Sequence, residues 1–327
     1  MSSLNSFLDR AQLFAPEYGG RLSNHLPMAL VALDALGASD KQMERGFTIT
    51  SRRLEPAPPE AAPAVDWPRL RGQPNAFAAM RAHFILEISE HGPPATLRAT
   101  LPALLNGVGG NAFHGLIRTA SAVTANHDHE LASGLAHWAC VHMPLEASKR
   151  VNENSASVAD VRIWLEGLGA ATAGWKSNAN LIADRMLSYS QTAAFQCHCQ
   201  RLSVGDASLR ELATIALEHY LRSRNFTVLH LITGTHAMRI LSPYFDDPRM
   251  AVHHYAVAFA AGVSASGINA SAAALPVTAQ PWEALIAAAC DAVDEHVIKL
   301  VYACREEFFE SSDDRYRSAA SLLLNRD

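Results

Sequence analysis

The sequence has little charge, few cysteines and no long uninterrupted apolar stretch, and each shortage excludes a class of protein. Only 18% of its 327 residues are charged, and the 27 Lys and Arg residues form no basic stripe interleaved with aromatics, so we expect no nucleic-acid partner. No continuously apolar stretch of 18 residues is free of both charge and histidine, which argues against a membrane span. The first residues lack the basic and apolar regions of a signal peptide.

The five cysteines form an odd set without disulfide-framework spacing, which indicates a reducing compartment and a cytoplasmic location. Cys197, His198 and Cys199 resemble part of a zinc site. Alternate residues on a helix point far apart, however, and no second cysteine pair completes four ligands. We therefore expect no zinc there.

What the sequence does have is hydrophobic content, 49%, arranged with the period of helices and without alternating β-branched runs. The pattern predicts an all-α protein, either one large bundle-like domain over residues 1–327 or two helical halves. The predicted helices cover residues 26–36, 76–90, 95–105, 111–125, 130–141, 158–168, 178–191, 209–221, 226–241, 249–263, 282–309 and 315–324.

Two segments interrupt this helical pattern. Residues 55–74 contain six prolines, which are excluded from helix interiors, so this segment is predicted to be a surface connection or flap held down by Trp67. The stretch GLGAATAGW, residues 167–175, is the candidate sub-boundary between two halves. The GxGxxA match at 107–112 follows no predicted strand, so we interpret its glycines as allowing close helix contact rather than dinucleotide binding.

Several of the 15 histidines fall on inward helix faces. His230 shares its face with small and apolar residues of FTVLHLITGTHAMRIL. His236 is about 240° further round the helix, so it cannot bind the same ion as His230 and could only support a ligand or the substrate. His114 lies on the small-residue face of GGNAFHGLIRTASA, with Arg118 one turn later. These helix faces predict two inward imidazoles with space beside them.

Two more histidines fit this pattern. His296 lies on the apolar line of the predicted helix 282–309, with Lys299 near the edge of that face. His25 follows Ser23 and Asn24, which are good N-cap residues, so it is predicted in the first turn of a helix. The helix dipole there disfavours the imidazolium, which keeps His25 able to bind a metal.

One inward histidine is usually a hydrogen-bonded core residue, but four require four partners, and one shared metal would supply them together. Imidazole-rich sites suit iron, copper or zinc. By contrast, His127 and His129 are interpreted as part of a polar loop. No nucleophile elbow or other hydrolase signature is found.

Four stretches carry a resemblance to a known family: FAPEYGGRLSNHLPMALVALDALGAS, AFHGLIRTASA, LHLITGTHAMRIL and DEHVIKLVYACREE. The chain resembles the questin oxidase-like family, which includes fungal enzymes that oxidise and open anthraquinone rings. The resemblance implies an oxygen-using enzyme acting on phenolic, anthrone or anthraquinone-like aromatics. It also implies a metal held by the histidines, with one further residue beside them. These residues are His25, His114, His230, His296 and Lys299.

An ammonium group cannot bind a cation, so Lys299 has two interpretations. Its long stem can carry the charge to water, where it would pair with Glu295. Alternatively, burial lowers its pKa, the neutral amine takes up CO2, and the carbamate binds the metal as a carboxylate would.

The function we predict is an oxygenase with a mononuclear non-haem metal. Iron is the metal predicted, because imidazole ligands suit it, and the enzyme would use O2 to oxidise a small aromatic substrate. Arg118 and Arg239 are predicted to hold a phenolate or quinone oxygen, while Tyr18 and Trp67 stack on an aromatic ring. Some family members use NADPH in a Baeyer–Villiger-type oxidation. Because the sequence lacks a dinucleotide motif, a reductant would act here through a partner protein. The alternative from another class is a non-catalytic helical binding or scaffold protein.

Overall fold

A computed structural model of the protein describes residues 3–145 and 157–324. It confirms the all-α class, because helices make up most of the described chain and the sheet consists of one two-residue pair. The helices are α1 (Ser3–Ala11), α2 (Leu26–Ala35), α3 (Asp40–Ser51), α4 (Phe77–His91), α5 (Pro93–Leu104), α6 (His114–Ala125), α7 (Asp128–Cys140), α8 (Val161–Ala171), α9 (Ile182–Ser190), α10 (Ala193–Cys199), α11 (Ser208–Ser223), α12 (Phe226–Leu241), α13 (Pro248–Ser266), α14 (Trp282–Asp291), α15 (Glu295–Ser311) and α16 (Arg315–Leu324). Strands β1 (Glu17–Tyr18) and β2 (Leu22–Ser23) form an antiparallel hairpin.

The chain forms two compact units, each discontinuous in sequence. The first unit contains the chain up to Leu97, residues His114–Val141, and the chain from Pro276 onward. The second contains Arg98–Phe113 and the chain from residue 142 to Leu275. The candidate sub-boundary at 167–175 lies inside the second unit, where α8 ends.

Helix α2 is the central element of the first unit. Its sequence LPMALVALDA is apolar on all sides, and Leu26 to Leu33 are all buried. A helix of this kind requires neighbours on every side, and α1, α3, α6 and α15 supply them. Side chains of α1, α3 and α15 complete its core cluster, including Phe7, Phe47 and Ile298.

Helices α6 and α7 cross closely because each contributes a glycine at the contact. A Cβ atom at Gly115 would lie 2.5 Å from Trp138 Cα, and one at Gly134 would lie 2.9 Å from Thr119 Cα. Both neighbours are backbone atoms, which cannot rotate away. The two glycines therefore fix how near α6 comes to α7.

The second unit is built around α12 and α13. Most of α12 is buried, and Thr235 Oγ1 lies 2.8 Å from Tyr255 Oη on α13. A Cβ atom at Gly262 would lie 2.8 Å from a methyl carbon of Leu231. The small residues of LITGTHA and AFAAG therefore allow these helices to pack closely.

Two sequence predictions about helix bounds were wrong, and three helices were missed. The helix expected over 282–309 is two helices, α14 and α15, because the backbone turns at Ala292 and the Asp294 side chain accepts a hydrogen bond from His296 N to begin α15. The helix expected from residue 111 begins at His114, since Asn111, Ala112 and Phe113 all have positive φ. Helices α1, α3 and α10 were not predicted.

The proline-rich segment is free of α-helix, as predicted, and contains two short 3₁₀ helices, Trp67–Leu70 and Pro74–Ala76. Trp67 does hold it down: its indole is buried, with its centre 5.2 Å from that of the Phe84 ring on α4. Over the described ranges, no helix combines the length and apolar character needed to cross a membrane.

Candidate functional site at three helix starts

Three of the predicted site histidines meet in the first unit, each at the beginning of a different helix. His25 is the N-cap of α2, His114 is the first residue of α6, and His296 is the second residue of α15. The rings of His25 and His114 are stacked with centres 4.7 Å apart, and the His296 ring meets that of His25 edge-on at 4.6 Å. His25 Nε2 and His114 Nε2 lie 2.7 Å apart and share a hydrogen bond.

The helix starts define the electrostatics of this cluster. The N-terminal end of a helix carries a partial positive charge, so three such ends disfavour protonated imidazoles and favour anions. Burial lowers the pKa of His296, and the charge of Lys299 lowers it further, whereas the hydrogen bond from His296 Nδ1 to Asp294 opposes these effects. The site thus favours a neutral His296, the form that binds metals.

Lys299 lies one turn beyond His296 and is buried, with only 4% of its surface exposed. The prediction that its stem carries the charge to water was therefore wrong. Burial lowers the pKa of Lys299 to about 8, although the nearby Glu295 and Asp294 carboxylates oppose the shift.

Glu295, the first residue of α15, is buried and forms an ion pair with Arg53. The Arg53 guanidinium also lies 5.7 Å from the centre of the Tyr18 ring. Tyr18 is half-buried in β1, so this arginine joins the hairpin to the start of α15. Sequence reasoning missed Arg53, which precedes the proline-rich segment and shares no motif with the histidines.

The cluster agrees with a metal site in its donor chemistry and spacing, but it does not contain a complete one. Two nitrogen ligands at right angles, each about 2.1 Å from an ion, would be about 3 Å apart, close to the separation of His25 Nε2 and His114 Nε2. Across the described ranges, however, no three His, Cys, Asp or Glu side chains are arranged to hold an ion. The residues present fit two imidazole ligands with a third close by.

The fourth predicted histidine, His230, lies in the second unit on α12, buried, with Nδ1 2.8 Å from the carbonyl oxygen of Phe226. His236 is also buried on α12, and Arg239 is half-buried in its last turn. The ligand role of His230 and the substrate roles of the other two stay predictions.

Arg118 is part of a buried ion pair. Its Nε lies 2.6 Å from Glu130 Oε1 and its Nη2 lies 3.0 Å from Glu130 Oε2, with both side chains almost fully enclosed. Gln12 Nε2 donates to the same carboxylate at 2.6 Å. These contacts give Arg118 a structural role, and its contact with a substrate stays a prediction, as does stacking by the buried Trp67.

Two further histidines have structural explanations. His198 Nε2 lies 2.7 Å from the carbonyl oxygen of Trp164, whose indole N–H donates to the His198 carbonyl at 3.1 Å. This reciprocal pair joins α10 to α8. His127, predicted in a polar loop, is a buried N-cap whose Nδ1 accepts from Glu130 N, whereas His129 is exposed.

Comparison with protein-family models identifies a family that matches most of this chain. The family model described as questin oxidase-like matches residues 22–304, a range that includes all three clustered histidines and Lys299. No curated protein matches the chain.

Proposed function

This chain belongs to the questin oxidase-like family, and from that premise we propose that it is an oxygen-dependent oxidoreductase acting on phenolic, anthrone or anthraquinone-like aromatics. We place its site at His25, His114 and His296. The observation that carries the proposal is the convergence of these imidazoles at three helix starts within the region that matches the family.

These imidazoles are proposed to hold a transition metal. We propose iron, because imidazole nitrogens are suitable ligands for it. Such a metal supplies the redox chemistry that allows O2 to react with an electron-rich aromatic ring. The part of the protein is to hold the imidazoles neutral and aligned. Asp294 orients His296 through Nδ1, which leaves Nε2 as the nitrogen for ligation.

Lys299 is proposed to enter the site as a carbamate. Its neutral amine adds to CO2, a C–N bond forms, and one proton is released to solvent, which converts the amine into an anion. That anion would offset part of the charge of a divalent ion among otherwise neutral imidazoles. Support comes from the burial of Lys299 and its pKa of about 8, because about a tenth of the amine is then uncharged at pH 7, far more than for an exposed lysine.

The surroundings of the cluster also suit an acidic aromatic substrate. Three helix starts favour a phenolate near the histidines, and the half-buried Tyr18 ring beside Arg53 offers an aromatic surface. The cytoplasmic location and a reductase partner stay predictions.

The proposal is tested by oxygen uptake of protein purified without an affinity tag, loaded with iron and supplied with anthrone or an anthraquinol. We expect uptake without NADPH, abolished by chelation and restored by iron. Uptake only with NADPH in the absence of a partner would instead support the Baeyer–Villiger alternative. A protein that neither binds metal nor consumes oxygen would support a scaffold role.

A further inference from the structure

A pocket of about 140 Å³ lies in the first unit beneath the proline-rich segment. We call residues 57–63 the strap. The strap is fixed at each end, where Ala57 N donates to Leu13 O at 2.8 Å and Ala64 N donates to Ala79 O at 2.9 Å. Pro58 and Glu60 of the strap line one wall. The strap therefore forms one wall of a partly open pocket and is not only a connection.

The polar floor of this pocket is preorganised. Arg81 Nε donates to Ser133 Oγ at 3.0 Å, and Ser133 Oγ donates to Gln12 Oε1 at 2.6 Å. Gln12 in turn donates to the buried Glu130 carboxylate. This chain of hydrogen bonds holds the Arg81 guanidinium in place by its Nε. Among the described residues, its two Nη groups have no hydrogen-bond partner.

The charge around the floor is unbalanced. Two guanidinium groups, Arg81 and Arg118, adjoin the single buried carboxylate of Glu130, and Arg118 already binds both of its oxygens. The charge of Glu60 on the strap also acts on Arg81, but Glu60 is exposed and forms no hydrogen bond with Arg81. The half-buried Arg81 therefore lacks a paired anion.

The remaining walls are apolar, formed by alanines and by Phe14, Phe77 and Ile85. A pocket this size is well below the 300–1,000 Å³ of drug-sized sites and takes a ligand of roughly ten non-hydrogen atoms or fewer. An inorganic anion would leave the apolar walls without contact, whereas a neutral molecule would leave the guanidinium unpaired.

We propose that this pocket binds a small organic monocarboxylate, whose carboxylate pairs with the Nη groups of Arg81 and whose apolar body lies against Phe14, Phe77 and Ile85. A fork of two parallel N–H donors matches a carboxylate. The strap forms one wall beside the ligand, and Glu60 competes with the ligand for Arg81. This site is separate in its chemistry from the proposed oxidation.

The test is calorimetric titration of full-length, metal-free protein with sodium benzoate, using benzyl alcohol and sodium chloride as matched probes. Benzoate is expected to bind at least tenfold more tightly than either. Arg81→Gln should weaken benzoate binding at least tenfold, and Ser133→Ala, which releases Arg81 Nε, should weaken it several-fold. Glu60→Gln should strengthen binding several-fold, because it removes the competing charge.

Arg69→Gln is the control, since Arg69 is highly exposed and does not line the pocket. It should leave benzoate binding unchanged. Equal affinity for benzoate and benzyl alcohol, or benzoate binding unaffected by Arg81→Gln, would overturn the proposal. Should Arg81→Gln fail to fold, Glu60→Gln decides, because unchanged or weaker binding in that exposed-site variant also overturns it. No metal or oxygen is involved, so the result is independent of the proposed function.

Discussion

His25 and His114 are 89 positions apart in the chain, yet their Nε2 atoms lie 2.7 Å apart. Two neutral imidazoles at this distance share one proton, with one ring as donor and the other as acceptor. The same two nitrogens can face a common ion after a small separation. The hydrogen bond thus satisfies both rings without an ion, and the same two nitrogens are the proposed metal ligands.

Replacing either histidine of this pair should remove metal binding. We expect His114→Ala and His25→Ala, expressed without a tag in iron-replete medium, to retain less than about a tenth of the metal of the parent protein. Metal per chain is measured by elemental analysis. The matched control is His129→Ala at an exposed position, which should keep full occupancy. Equal loss in all three variants would exclude the cluster as the site.

A carbamate at Lys299 predicts a specific isotope signal. Protein incubated with ¹³C-labelled bicarbonate should show a carbamate carbon resonance that is absent from Lys299→Ala and Lys299→Arg. Neither variant can form the anion, so both should lose metal, whereas Lys299→Glu keeps a carboxylate and retains part of it. Full metal content and oxygen uptake in Lys299→Arg would rule the carbamate out.

The buried ion pair offers a test of whether Arg118 has more than a structural role. Arg118→Met leaves Glu130 charged and enclosed, which should cost about 3–5 kcal/mol in the free energy of unfolding, measured with denaturant. The double variant Arg118→Met/Glu130→Leu removes both charges and should recover much of that loss. If the recovered protein still lacks activity at saturating metal, Arg118 contacts the substrate; normal activity would leave the ion pair as its role.

The α6–α7 crossing should not tolerate a methyl group. Gly115→Ala places its Cβ against the backbone of Trp138, so we expect a loss of about 1–3 kcal/mol in unfolding free energy. The control is Gly169→Ala in α8, where a Cβ meets no atom within 4 Å. That change should be neutral or stabilise the protein by up to about 1 kcal/mol through helix propensity. A comparison of their melting temperatures decides the prediction.

His219 should make the protein sensitive to acid. It lines a cavity of about 520 Å³ in the second unit, and burial lowers its pKa to about 4, helped by the charge of Arg222. Between pH 6.5 and about 4, the unfolded chain binds a proton at this histidine and the folded chain does not. The free energy of unfolding therefore decreases as the pH is lowered through this range. The loss should be about 3 kcal/mol. His219→Gln should show a correspondingly flatter pH profile.

Much of the fold follows from local pattern. The boundaries of α2 and α12 were predicted within a residue. Pro27 marks the first turn of α2, and the Asn225 side chain caps α12. Helix α3 was missed although Ser39 and Gln42 form a capping box, a signal present in the sequence. The break between α14 and α15 at Ala292 was missed, because the sequence does not distinguish an Asp294 on the surface of one long helix from an Asp294 that is the N-cap of a new helix.

The site was harder to predict than the helices. Helix faces and the family resemblance together selected His25, His114, His230, His296 and Lys299. Four of these lie in the first unit, where the rings of His25, His114 and His296 meet, whereas His230 lies in the second unit. The prediction placed His296 on the apolar face of one helix over 282–309, but the structure has two helices there. The position of His296 could therefore not be derived from helical periodicity alone. Glu295 pairs with Arg53 in the turn after α3, and Arg118 of α6 pairs with Glu130 of α7. Periodicity within one helix carries no information about such pairs.

The division of the chain has a consequence for its synthesis. The first unit takes its parts from both ends of the sequence, while the second is encoded largely between them. A growing chain therefore completes the second unit while the first still lacks α15, the helix that carries His296. The three clustered histidines can therefore meet only after translation has passed the second unit, so an incomplete chain cannot form the proposed metal site.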